Sequence, residues 1–315
     1  MITSIAEPTL TRFGHPLIRY FFATRPNFLL ATLAACLLGI VSAKQSGIAL
    51  HAPMALVTLL LALLVHAAVN VLNDYYDDAS GADTLNAERL YPFTGGSGFI
   101  QNGLLTPEQT GRFGYSLLGI SILGGLWLIF HVGIGLLLIG GVGIFIGWAY
   151  SASTLRLNSR GLGELSVLVG FLGLVIGADF VQRRTFSLQP VIVGLPYALL
   201  VTNLLFINQF PDRKSDALAG KRHWVVRLPL AWSVYIYPIL AGLVLIWLVV
   251  MVKMNELPLV AMISALPLLF SVRAAWLLIR FASEPMQLRP AIQLTLAAML
   301  GHAFLLAFVL FWEST

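Results

Sequence analysis

Charge is what this sequence has least of. Only 10% of its 315 residues are Asp, Glu, Lys or Arg, against about 25% in an ordinary soluble chain. So few charges cannot cover a water-soluble fold of this size, and lipid is the expected solvent. Cysteine is nearly missing too. Cys36 stands alone, which excludes an intramolecular disulfide and any cysteine-built metal centre. A cleaved signal peptide is not expected either, because the first long apolar run begins near Asn27, after a polar stretch, with no small-residue cleavage pattern behind it. What fills the chain instead is apolar: 58% of residues are hydrophobic and the mean hydropathy is +0.86.

A helix crossing a hydrocarbon core of roughly 30 Å needs about 20 apolar residues. Nine segments meet that need: 27–44, 52–72, 114–130, 133–150, 162–181, 190–209, 229–251, 257–276 and 291–311. The fold class read from this pattern is all-α, a polytopic membrane protein of about nine transmembrane helices, with residues 1–315 forming one intramembrane domain. Residues 9–22 mix apolar and basic side chains and are expected to lie along the interface. Of the 19 Lys and Arg residues, only Lys44, Arg183, Arg184 and Lys253 fall on the side opposite the N-terminus. The positive-inside rule therefore puts the N-terminus and the two longest loops, 73–113 and 210–228, in the cytoplasm.

Those two loops hold the acids. The end of the second span reads NVLNDYYDDASGAD, with Asn70, Asn73, Asp74, Asp77, Asp78 and Asp83. No Lys or Arg follows until Arg89, so a cation is the natural neutraliser of this crowd. Residues four apart share a helix face, which leaves two registers open: Asn73 with Asp77, or Asn70 with Asp74 and Asp78. The end of the sixth span reads NQFPDRKSDALAGKR, where Asn208, Asp212 and Asp216 repeat the N-x3-D-x3-D spacing. Both clusters follow even-numbered spans and so meet the same membrane face. Hard oxygen ligands at this spacing suit Mg²⁺, which keeps waters and shares its shell with substrate phosphates. Lys221, Arg222 and Arg227 trail the second cluster, and the loop after the fourth span adds Arg156 and Arg160. Acids and bases on one face point to metal-bridged binding of a polyanion, with a diphosphate as the candidate.

Blander explanations cover the remaining polar residues. His66, His131 and His302 lack metal-ligand spacing and read as structural. Asp179 lies near the outer end of the fifth span, where solvation at the interface is expected. Trp148, Tyr150 and Trp224 sit at helix ends as interface anchors, with a lining role second. The GGSG run at Gly95–Gly98 has the composition of a phosphate-binding nest. It lacks the strand–helix context and GK[ST] ending of a P-loop, so a plain turn is the simpler reading.

At these motifs the chain resembles the UbiA superfamily of intramembrane prenyltransferases, and within it the MenA-like branch. NDYYDDASGAD resembles the first family motif in its MenA form, in which Asp83 replaces the acid usually found at the position of Gly81. DRKSDALAGKR matches the second motif, D-x3-D-x3-G-K. RGLGELSVLVGFLG at 160–173 and Arg25–Pro26 resemble flanking stretches of the same enzymes. Two departures stand out. The common Tyr-x3-Lys becomes Tyr150 and Thr154 here, with Arg156 the nearest base, and Pro211 stands where many members carry arginine.

The resemblance implies a UbiA-like helical bundle and a Mg²⁺-dependent enzyme transferring a polyprenyl group from a polyprenyl diphosphate to an aromatic acceptor. It implies that Asn73, Asp74, Asp77, Asp83, Asp212 and Asp216 hold the metal, with Asp77, Asp83, Asp212 and Asp216 the catalytic acids. Arg25, Asn70, Asn73, Arg156, Arg160, Lys221 and Arg222 would then bind the diphosphate. The acceptor implied is 1,4-dihydroxy-2-naphthoate, for menaquinone biosynthesis, with 4-hydroxybenzoate or a lipid acceptor as alternatives. Nucleic acid is not an expected partner. A CDP-alcohol phosphotransferase would need a DG-x2-AR signature that the chain lacks. A cation transporter would place its acids near the bilayer midplane rather than at the rim.

Overall fold

The computed structural model describes residues 7–86 and 88–314, and among them every regular element is helical. In chain order they are α1 (Pro16–Ala23), α2 (Pro26–Gln45), α3 (Ala52–Ser80), α4 (Pro107–Val132), α5 (Gly135–Ser151) and α6 (Gly163–Arg183). Then come α7 (Gln189–Leu218), the short α8 (Trp224–Arg227) and α9 (Leu230–Ser233), α10 (Ile236–Lys253), α11 (Leu268–Phe281) and α12 (Arg289–Glu313). Among the described residues, eight helical segments are long and apolar enough to cross a membrane, and α5 is a shorter apolar helix beside them. This agrees with about nine spans. The protein is an integral, multi-pass membrane protein.

The boundaries move where caps override hydropathy. Thr106 and Gln109 form a capping box around Pro107, so α4 starts seven residues before the apolar run at 114. At the other extreme, α3 and α7 run well past their apolar stretches. Gly81, at φ +79°, takes the left-handed position that ends α3. Asn73 to Ser80 and Phe210 to Leu218 are therefore helix, where loops were expected. The acids stand on rigid helical scaffolding.

Small residues let the bundle close. On α2, Ala31, Ala35, Gly39 and Ala43 form a buried row at four-residue spacing. A Cβ on Gly39 would lie 2.2 Å from the Val175 carbonyl oxygen, so α2 and α6 touch backbone to backbone there. Helix α7 lies in the middle of the main core, flanked by α2, α6, α10 and α12. Buried polar groups join these helices as well: Asn203 donates to the Tyr237 carbonyl at 3.0 Å, and the Tyr237 and Thr295 hydroxyls meet at 2.7 Å. Asp179 departs from expectation. It is 1% exposed, accepts from Ser42 at 3.0 Å and is paired with Arg183 at 2.8 Å. Its partner one helical turn away replaces the solvent it was expected to face.

Candidate active site

The extended ends of α3 and α7 meet at one end of the bundle, beside the start of α2 and the end of α5. On α3, Asn73 and Asp77 share a face, and the Asn73 amide donates to Asp77 at 2.9 Å and to Ser151 on α5 at 3.0 Å. One residue round the helix, Asp74 faces elsewhere. It is ion-paired with Arg25 and accepts the Ser97 backbone N–H at 3.2 Å. Asp78 accepts from Gln101 at 3.1 Å and points into the following loop. Of the two registers left open by the sequence, the one through Asn73 and Asp77 faces inward. Asn70 has its amide tied to the Thr24 carbonyl at 2.9 Å, and still lines the cavity described below.

Lys221 joins the two clusters. Its ammonium lies 3.0 Å from Asp77 and 3.7 Å from Asp216, while Asp216 also meets His223 Nε2 at 3.0 Å. Burial alone would lower the lysine pKa, but the Asp216 and Asp77 carboxylates outweigh it and hold the group well above its ordinary value. Asp212 accepts from the Asn86 amide at 2.6 Å and from the Gly95 backbone N–H at 3.2 Å.

The GGSG run is thus a strap across both clusters, one amide to Asp212 and one to Asp74. Two of its amides, those of Gly95 and Ser97, are taken by carboxylates, as in a turn that organises the acids. Gly96 has φ +72°, and a Cβ there would lie 2.3 Å from Asp83 Oδ2. Only glycine lets the strap come this close. Arg89 braces the strap from behind, lying beneath Gly95 and Gly98. It is held in turn by Glu7 at 2.9 and 2.6 Å.

Asp83 is the least satisfied of the acids. Its Oδ2 is buried without a hydrogen-bond partner. Burial, with Asp77 beside it, pushes its carboxyl up to about 7. The Asn208 side-chain amide oxygen, Oδ1, is likewise buried and unpartnered. Both residues line a cavity of about 300 Å³ that also carries Asp77, Asp212, Asp216, Arg25 and Lys221. Four carboxylates face two fixed cations there, a formal −2 with histidine neutral. Among the described residues no three His, Cys, Asp or Glu side chains converge tightly enough to chelate a metal alone. Unsatisfied oxygens and surplus negative charge, without a closed cage, fit a hard cation that keeps waters and shares ligands with a phosphate.

Beyond the polar end the same cavity turns apolar, lined by Phe28, Val65, Val69, Ile146, Phe171 and Leu204. His66 interrupts this part, its Nδ1 at 2.7 Å from the Thr32 hydroxyl. Three expected phosphate binders do not line the cavity. Arg160 donates to the Thr154 carbonyl at 3.3 Å, and Arg222 is exposed, its backbone N–H bonding the Ser159 carbonyl at 3.0 Å. Arg156 is in a left-handed turn, φ +46°, leading into a 3₁₀ segment that sends Asn158 inward instead. Asn86, Asn158 and His223 line the cavity and were not among the candidates, whereas Tyr150, read first as an interface anchor with a lining role second, and Asn208 line it too. Asn208 was visible in the repeated N-x3-D-x3-D spacing, whereas His223 carried no such signal.

The family model described as the UbiA prenyltransferase family matches residues 29–297. The chain belongs to this family. It is 28% identical over 205 residues to the 1,4-dihydroxy-2-naphthoate octaprenyltransferase of Bacillus subtilis, a match covering 63% of this chain and 62% of that one. Against the Escherichia coli protein of the same name the figures are 31% over 211 residues, 65% of this chain and 66% of the relative. The match therefore spans less than two thirds of either relative's length. Among solved structures, a UbiA homolog from Archaeoglobus fulgidus bound to DMAPP and Mg²⁺ aligns with a TM-score of 0.68 at 15% identity, covering 93% of this chain and 99% of that one. At that identity the likeness is one of fold. The helical layout of the described residues is that of a UbiA-type bundle.

Proposed function

We propose that this UbiA-family chain transfers a polyprenyl group from a polyprenyl diphosphate to 1,4-dihydroxy-2-naphthoate, with Mg²⁺, at the cytoplasmic face of a membrane. One observation carries the reading. A polar pocket with four carboxylates and two cations opens directly into an apolar one, matching a ligand with a diphosphate head and a hydrocarbon tail. The names of the B. subtilis and E. coli relatives support the acceptor. The distribution of Lys and Arg supports the cytoplasmic face.

Asp77 and Asp83 from the α3 side and Asp212 and Asp216 from α7 would hold the metal, with Asn73 and Asn208 supplying neutral oxygens. When bound, Mg²⁺ supplies Lewis-acid stabilisation of charge on the diphosphate oxygens. Lys221 and Arg25 place fixed positive charge beside those oxygens, where burial strengthens its effect. Phe28, Val65, Val69 and Phe171 take the isoprenoid chain out of water, each buried CH₂ contributing about 0.8 kcal/mol. The allylic C–O bond breaks with its electron pair leaving on the diphosphate. The electron-rich ring then forms the new C–C bond, and aromaticity returns when that ring carbon releases CO₂ from its carboxylate or, at the neighbouring carbon, a proton to water, the bonding pair returning to the ring. The aromatic and apolar walls keep water from the cation in the interval.

Membranes containing the protein, given labelled farnesyl diphosphate, Mg²⁺ and 1,4-dihydroxy-2-naphthoate, should release diphosphate and form a prenylated naphthoate. Asp77→Asn and Asp212→Asn should each lower turnover by about a hundredfold or more. Full turnover by either variant, or no product with this acceptor, would refute the reading.

A further inference from the structure

Helix α11 carries an anomaly unconnected with the cavity. Its inner face, through Leu268, Ser271, Ala274, Ala275 and Leu278, is buried and packs mainly on α12. The outer face is exposed and would meet lipid, with Leu269, Val272 and Ile279 among its residues. On that face stand Arg273 and Arg280, both exposed, with Trp276 between them. The Arg273 guanidinium lies 4.1 Å from the centre of the indole and that of Arg280 5.2 Å. One aromatic plate thus gathers both cations.

Among the described residues neither arginine is in an ion pair. Glu284, the nearest acid along the chain, is bonded to Gln287 instead. The end of α11 lies at the acid-cluster face, because Arg289, eight residues after Phe281, donates to the Tyr91 carbonyl in the strap loop at 2.9 Å. Arg280 is therefore at the interface, and Arg273, seven residues back, is about 10 Å deeper. An unpaired guanidinium among acyl chains is unfavourable and calls for a counter-charge.

We infer that Arg273, Trp276 and Arg280 form a binding site for the phosphate of an anionic phospholipid. A guanidinium offers a planar fork of donors that matches phosphate oxygens, and an indole sits readily at headgroup level. The acyl chains of such a lipid lie along Leu269, Val272 and Ile279. A second copy of the chain is a poor occupant, because a two-fold contact would bring this face against itself and set guanidinium against guanidinium.

The full chain, stripped of lipid in detergent, is titrated with phosphatidylglycerol or phosphatidylcholine, and bound lipid is read by native mass spectrometry. Each basic residue near an anionic lipid contributes about fivefold, so wild type should prefer phosphatidylglycerol by about 25-fold. The double variant R273Q/R280Q should lose that preference and keep its phosphatidylcholine retention. R273K/R280K, which keeps the charge without the fork, should retain part of it. Each single Gln variant should show an intermediate preference, which keeps the test sharp if the double variant does not fold. No preference in wild type, or equal preference in wild type and R280Q, overturns the proposal.

Discussion

Lys221→Met removes the only side chain among the described residues that bonds carboxylates of both clusters, and its effect can be worked from the distances. The ammonium is 3.0 Å from Asp77 and 3.7 Å from Asp216, with 17% of the side chain exposed. At an effective dielectric of 20, each contact attracts by about 4–6 kcal/mol before desolvation. Removing one partner of such a buried group typically leaves a net cost of about 3–5 kcal/mol. At about 2 °C per kcal/mol for a chain of this size, the metal-free variant should unfold on the order of 6–10 °C below wild type. Mg²⁺ should reverse much of that loss, because a divalent cation held by the aspartate clusters would replace the missing charge. Thermal unfolding in detergent, with and without millimolar Mg²⁺, reads both effects. The variant should gain more from Mg²⁺ than wild type does, and still turn over slowly, because the fixed charge beside the diphosphate is gone. A variant as stable as wild type without metal, or with no larger Mg²⁺ shift, would sink this account of the clusters.

Other perturbations separate the strap, its brace and the far end of the bundle. Gly96→Ala forces a Cβ to 2.3 Å from Asp83 at φ +72°, so the Mg²⁺ concentration for half-maximal activity should rise about tenfold or more. Gly47→Ala has φ +78° but nothing within 4 Å, and should lose about 1 kcal/mol of stability with normal kinetics. Arg89→Ala removes the brace beneath Gly95 and Gly98 and should lower kcat/KM about tenfold, with Glu7→Ala, at the partly exposed end of that pair, costing less. Asp179→Asn breaks the buried pair with Arg183 and should destabilise by about 3–5 kcal/mol while leaving KM for both substrates unchanged. A KM shift there would mean that the far end communicates with the cavity.

Composition alone determined that this chain lives in lipid, and hydropathy located the helices, because a span must satisfy its backbone internally and present about 20 apolar residues. Four-residue spacing already put Asn73 with Asp77 on one face of a helix, Asn70 with Asp74 and Asp78 on another, and Asp212 with Asp216 on a shared face of the second helix, since that depends only on the helical period. Helix ends were less legible. Hydropathy fades at the membrane rim, whereas Gly81 and the Thr106–Gln109 box act through local caps. Only the tertiary structure chose between the two registers on α3, because nothing local distinguishes Asp77 from Asp78 until α5, α7 and the strap surround them. It also turned Arg156, Arg160 and Arg222 away and brought His223, Asn86 and Asn158 in. Those assignments depend on how loops about 60 to 140 residues apart in sequence pack together, and neither charge nor spacing along the chain records that. The paired aspartates were written in the sequence. Which of their oxygens are left unsatisfied, and face the apolar pocket, was decided by packing.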